Sequence, residues 1–136
     1  IALSEALKTL GGIKGSGRKI AVLGDMLELG KYSAEEHLSM GKLVAEKADI
    51  LFTVGVRSRG VAEGAQDAGM DENNIFQFDD SISADKQVEL FIKEGDTILI
   101  KGSQGVRMEK IVEEIMAEPE KAGELLVRQD REWKRR

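Results

Sequence analysis

The chain has 136 residues, 41% of them hydrophobic and 33% charged, with a formal net charge of −5. That is the length of one domain, with enough apolar content to bury a core and too much for wholesale disorder. It has no cysteine and a single histidine, which excludes a disulfide framework, a thiolate or multi-histidine metal centre and a cysteine nucleophile; the acidic balance argues against general nucleic-acid binding.

No apolar run approaches the roughly 20 residues of a membrane span, and no signal peptide is visible. A cytoplasmic location is the expectation. The chain starts at Ile1 rather than at a methionine, so it is expected to be a piece of a longer protein.

In chain order, residues 1–10 predict an opening helix. Gly12–Gly17 (GIKGSG) looks like a phosphate loop, but it precedes a strand, whereas a dinucleotide fingerprint follows one and opens a helix; a linker is the better reading. Lys19–Gly24 (KIAVLG), Ile50–Gly55 (ILFTVG) and Thr97–Ile100 (TILI) are β-branched and aliphatic runs bounded by glycine. Ile75–Phe78 is a weaker one. Near-continuous apolar strands belong to a parallel sheet covered on both faces.

Between the strands lie helices. Ser33-Ala34-Glu35-Glu36 is a capping box that opens a helix running to about Lys47. Residues 58–68 predict a small-residue helix with Val61, Ala62, Ala65 and Ala68 on one side and Gly69 as its stop. Residues 83–93 predict another, with Val88, Phe91 and Ile92 as core candidates. Met108, Ile111, Val112, Ile115 and Met116 form one apolar stripe at helical spacing, ended by Pro119.

This alternation implies an α/β fold: a three-layer αβα, Rossmann-like, mostly parallel sheet. Residues 1–117 are expected to form the domain, lacking the first strand that such folds usually open with. Residues 118–136 are expected to be a partly helical C-terminal tail, with Leu125, Leu126 and Trp133 as its packing residues.

In such a sheet ligands bind beyond the carboxyl ends of the strands. Three loops qualify. Gly24–Gly30 (GDMLELG) carries Asp25 and Glu28, with His37 one turn into the next helix; a carboxylate near imidazole orients it and raises its pKa. The bland alternative has Asp25 capping the turn and His37 facing solvent. Lys101–Arg107 (KGSQGVR) brings Lys101, Gly102, Ser103, Gln104 and Arg107 to a helix N-terminus, a cradle for a carboxylate or phosphate; the alternative is a glycine turn with solvated cations. Gly55–Gly60 (GVRSRG) is weaker, with Ser58 read as a helix cap and its arginines as exposed.

The two stronger loops together carry a resemblance. Gly17–Gly30 (GRKIAVLGDMLELG), followed by His37, and Gly95–Glu113 (GDTILIKGSQGVRMEKIVE) are similar to the C-terminal domain of the Mur ligases, most nearly the branch that handles D-alanyl-D-alanine. The resemblance implies the C-terminal domain of an ATP-dependent peptide-forming ligase of peptidoglycan synthesis. It implies UDP-N-acetylmuramoyl-tripeptide and D-alanyl-D-alanine as substrates, joined through an acyl phosphate. Of the enzyme's own other domains, an N-terminal one would hold the UDP-sugar peptide and a central one most of the ATP and magnesium site, with no cofactor and no metal in this piece, which alone would be inactive. Lys101, Gly102, Ser103, Gln104 and Arg107 would take the acceptor's carboxylate; Asp25, Glu28 and His37 would hold and deprotonate its amine. Where many relatives have arginine, this chain has Gln104, with Arg107 nearby. The alternatives are a stand-alone α/β module binding a small molecule or anion without catalysis, and a structural or interaction domain.

Overall fold

A strand whose alternate residues must serve two opposite cores reads as a continuous apolar run, and the computed structural model of this chain shows that arrangement. It describes residues 3–14, 17–25, 27–93, 95–102 and 124–129. Along these run α1 (Leu3–Gly12), β1 (Lys19–Gly24), α2 (Leu27–Gly30), α3 (Ala34–Lys47), β2 (Ile50–Val54), α4 (Arg59–Asp67), a short 3-10 helix (Glu72–Asn74), β3 (Ile75–Phe78), α5 (Ser81–Phe91), β4 (Thr97–Gly102) and β5 (Glu124–Gln129).

The five strands form one sheet in the order β3-β2-β1-β4-β5, every pair parallel. Ile20 of β1 lies opposite Ile50 of β2 and Ile98 of β4. On one face, Ala21, Leu23, Leu51 and Leu99 pack with Leu3, Leu7 and Leu10 of α1, Val44 of α3 and Val61, Ala62 and Ala65 of α4. On the other, Ile20, Val22, Ile50, Phe52, Val54, Ile98 and Ile100 pack with Ala84 and Val88 of α5 and with Ile92. Successive side chains of a strand point to opposite faces, so both clusters draw on the same three strands. Each fully buried aliphatic side chain contributes roughly 1.5–3 kcal/mol. The predicted three-layer α/β fold is the one found.

The helices follow their local signals with small shifts. Ser33 accepts from the Glu36 amide and Glu36 accepts from the Ser33 amide, so the capping box closes and starts α3. Asp80 accepts from the Ser83 amide at 2.9 Å, which starts α5 two residues before the expected position. Gly69 has φ +104°, the left-handed conformation that stops α4; Ala68 is exposed rather than packed. Where α3 crosses α4 the backbones touch. A β-carbon at Gly41 would fall 2.3 Å from the Ala65 nitrogen, and one at Gly64 would fall 2.8 Å from the Leu38 Cα.

At the amino ends of the strands, Arg18 donates to both carboxylate oxygens of Asp96, at 3.1 and 2.7 Å, and to the Phe91 carbonyl at 2.8 Å. Its guanidinium lies 4.6 Å from the centre of the Phe91 ring. The Lys93 amide also donates to Asp96. A β-carbon at Gly17 would fall 1.8 Å from the Gly95 oxygen. The glycine at the end of GIKGSG therefore serves a close chain crossing, and that crossing lies at the amino edge of the sheet.

The expected tail needs a correction. Residues 124–129, placed in a partly helical segment, form β5, in register with β4 from Thr97 opposite Glu124 to Gly102 opposite Gln129. ELLVRQ has no strong local preference for strand; the open hydrogen-bonding edge of β4 decides its conformation. The helix expected over 108–116 lies outside the described residues.

Candidate functional site

The chain leaves β1 towards β2 on one side of the sheet, while β4 lies on the other. The crevice between β1 and β4 is thus the switch point, where open α/β sheets bind ligands. Leu23 stands in register with Lys101, so Gly24-Asp25 and Lys101-Gly102 leave the sheet side by side. The two loops singled out from sequence therefore share one edge. Of the second loop, Ser103, Gln104 and Arg107 lie outside the described residues.

Lys101 is not the solvated cation weighed above: it is 1% exposed. Alternation along β4 puts it on the face of Leu99, in a row with Leu23 and Thr53 across three strands. Thr53 is itself buried, and among the described residues its Oγ1 is a buried side-chain oxygen with no hydrogen-bond partner. A threonine inside ILFTV looks like ordinary strand, so nothing in the sequence marked it.

Asp25 continues the line of β1 past its end. Its amide donates to the Val54 carbonyl at 3.0 Å, and its Oδ1 accepts from the Ser58 amide at 3.1 Å. Ser58, predicted to cap α4, makes no side-chain capping bond; its hydroxyl donates to the Gly55 carbonyl instead. The carboxylate of the loop after β1 thus does the capping. Gly55 has φ +103°, and a β-carbon there would fall 2.5 Å from the Asp25 carboxyl. The amide of Gly55 in turn donates to the Phe78 carbonyl at 2.8 Å. The loop read as weaker from sequence is bound to one of the two stronger ones.

Glu28 lies in α2, a four-residue helix where a loop was expected; its side chain is outside the description. His37 lies in the first turn of α3. Its ring Nδ1 is 3.0 Å from the Ser33 carbonyl oxygen. A carbonyl oxygen only accepts, so Nδ1 carries the hydrogen, and in the neutral ring Nε2 is the atom with the lone pair. The ring meets Tyr32 edge-on at 5.5 Å and covers Gly60, where a β-carbon would fall 2.9 Å from it. On its Nδ1 side the imidazole is oriented by a backbone carbonyl, with the Tyr32 ring beside it.

The two arginines of the Gly55–Gly60 loop diverge. Arg59 pairs with Asp79 beyond β3. Arg57 leans the other way, with its guanidinium against Gly30 of α2. Among the described residues no three His, Asp or Glu side chains gather as a metal site, and no helix is long and apolar enough to cross a membrane.

Residues 1–104 match the family model described as Mur ligase, glutamate ligase domain. The UDP-N-acetylmuramoyl-tripeptide–D-alanyl-D-alanine ligase of Bacillus subtilis strain 168 is 30% identical over 119 residues, covering 87% of this chain and 26% of that protein. The ligase of the same name from Escherichia coli K12 is 32% identical over 99 residues, covering 71% of this chain and 20% of that protein. The crystal structure of MurF ligase from Thermotoga maritima in complex with ADP superposes with a TM-score of 0.61 at 25% identity, over 85% of this chain and 25% of that one. The chain spans about a quarter of the length of these relatives.

Proposed function

From the premise that this chain belongs to the Mur ligase family, through its glutamate ligase domain, we propose that it is the C-terminal, substrate-closing domain of a cytoplasmic ATP-dependent ligase. That enzyme joins D-alanyl-D-alanine to UDP-N-acetylmuramoyl-tripeptide in peptidoglycan synthesis. The observation that carries the proposal is the register of Leu23 with Lys101, which sets Gly24-Asp25 and Lys101-Gly102 next to each other at the switch point.

In the proposed reaction the tripeptide carboxylate takes the γ-phosphoryl group of ATP. The dipeptide amine then attacks that carbonyl carbon, and phosphate leaves as the amide bond forms. The acceptor's own carboxylate needs fixed donors. Ser103, Gln104 and Arg107 are proposed to supply them, with Lys101 and Gly102 forming the strand end that carries the loop. The amine must lose a proton as it bonds, and the Nε2 lone pair of His37 is the proposed acceptor. Glu28 is proposed to hold the amine. Asp25, with its carboxylate on the Ser58 amide, is proposed to fix the shape of the edge. ATP and its magnesium ion are assigned mostly to the enzyme's central domain, over which this one closes, and the UDP-sugar peptide to its N-terminal domain.

The test is ADP release by the purified full-length ligase. Release that requires both UDP-N-acetylmuramoyl-tripeptide and D-alanyl-D-alanine, with the amide product formed, is the expected result. Release indifferent to the dipeptide overturns the assignment.

A further inference from the structure

Three arginines near the sheet ends have different circumstances. Arg18 is bonded to Asp96 and to a carbonyl. Arg59 is bonded to Asp79. Arg57 has neither kind of bond among the described residues, and its guanidinium lies beside Gly30. A β-carbon at Gly30 would fall 3.3 Å from its Cζ, 3.4 Å from its Nε and 3.5 Å from its Nη1. Three guanidinium atoms at nearly equal distance mean that the group turns its face to the space a side chain at position 30 would fill. A side chain at position 30 would push it away.

The loop that carries Arg57 is braced on both sides of it. Asp25 holds the Ser58 amide, Ser58 holds the Gly55 carbonyl, and Gly55 donates to the Phe78 carbonyl. Arg57 is exposed, while the segment on either side is tied to β1 and β3. Its lean is toward the β1 loop, the opposite of Arg59's. The donor fork of an arginine matches the two oxygens of a carboxylate or phosphate. Holding that fork in place beforehand lowers the ordering cost of binding.

We propose that Arg57 is an oxyanion-binding residue of this site, its guanidinium laid over Gly30 to take the carboxylate or phosphate of a substrate at the carboxyl edge of β1. The inference rests on the ligase reading for its substrates. Carboxylate and phosphate share this chemistry, and the dipeptide and ATP are their respective sources.

The experiment uses the full-length ligase with Arg57→Ala, Arg57→Lys and Arg59→Ala, measuring KM for D-alanyl-D-alanine and for ATP separately, the other substrates saturating. Arg57→Ala raises one of the two KM values about tenfold or more, the worth of one charge-assisted pair, with kcat nearly unchanged. A rise for the dipeptide identifies the carboxylate; a rise for ATP identifies the phosphate. Arg57→Lys keeps the charge without the fork and recovers only part of the loss. Arg59→Ala, removing equal charge from the same loop, leaves both KM values near wild type. Unchanged KM values in Arg57→Ala, or an equal effect of Arg59→Ala, overturn the proposal while the ligase reading stands. A wild-type enzyme that does not ligate the dipeptide overturns both.

Discussion

The carboxylate of Asp25 accepts a hydrogen bond from the backbone amide of Ser58, 33 residues further along the chain, at 3.1 Å. Helix α4 is thereby capped by a residue of the β1 loop, and the edges of β1 and β2 become one rigid unit. Asp25→Ala leaves that amide without its partner and is expected to cost about 1–2 kcal/mol, with Asp25→Asn costing less because an acceptor oxygen remains. Gly55→Ala is expected to cost more than about 1 kcal/mol, from its positive φ and from the contact with the Asp25 carboxyl. Urea unfolding of the full-length protein measures both.

The Arg18–Asp96 pair fastens the segment before β1 to the start of β4, with the Asp96 side chain 3% exposed. Asp96→Ala strips the guanidinium of its bidentate partner and frees the Lys93 amide. The expected cost is about 1–3 kcal/mol, because the Arg18 left behind is 31% exposed and reaches water while the Lys93 amide loses its partner. Because this cluster is at the amino edge of the sheet, KM values of folded enzyme should not move. A variant that loses substrate affinity at unchanged stability would show that the pair serves the site.

Helices α3 and α4 meet through Gly41 and Gly64, where backbone faces backbone. Gly64→Ala is expected to push the helices apart and to cost about 1–3 kcal/mol, as overpacking does. His37 rides on the residue before this contact, so the same substitution should also lower kcat. Paired unfolding and turnover measurements on the full-length ligase check the two effects together.

His37 holds its Nδ1 hydrogen on the Ser33 carbonyl, and Nε2 is the atom left to accept a proton. His37→Asn can keep the bond to Ser33 but has no basic nitrogen. It is expected to lower kcat about 100-fold with little change in the dipeptide KM and none in the unfolding midpoint. Turnover equal to wild type would confine the imidazole to packing against Tyr32 and Gly60.

Much of this was legible in the residues themselves. KIAVLG, ILFTV and TILI announced a sheet buried on two sides, because only strands serving two cores are apolar at every position. Ser33 and Glu36 announced the start of α3, since capping is settled within four residues. The Asp25 and Lys101 loops announced themselves by composition and by their likeness to a family. Ser58 misled, because a serine before a helix usually caps it, and here an aspartate from the β1 loop reached the amide instead.

What the sequence alone determined was local: periodicity, caps, turns and the two motif loops, each governed by neighbours a few residues apart. Tertiary structure alone decided that β1 lies beside β4, that ELLVRQ completes the sheet, that Lys101 is buried, and that Asp25 holds Ser58. Each of those depends on which strands pair across long stretches of chain, and pairing is chosen by the whole sheet's hydrogen bonds and buried area together rather than by any one segment's preference.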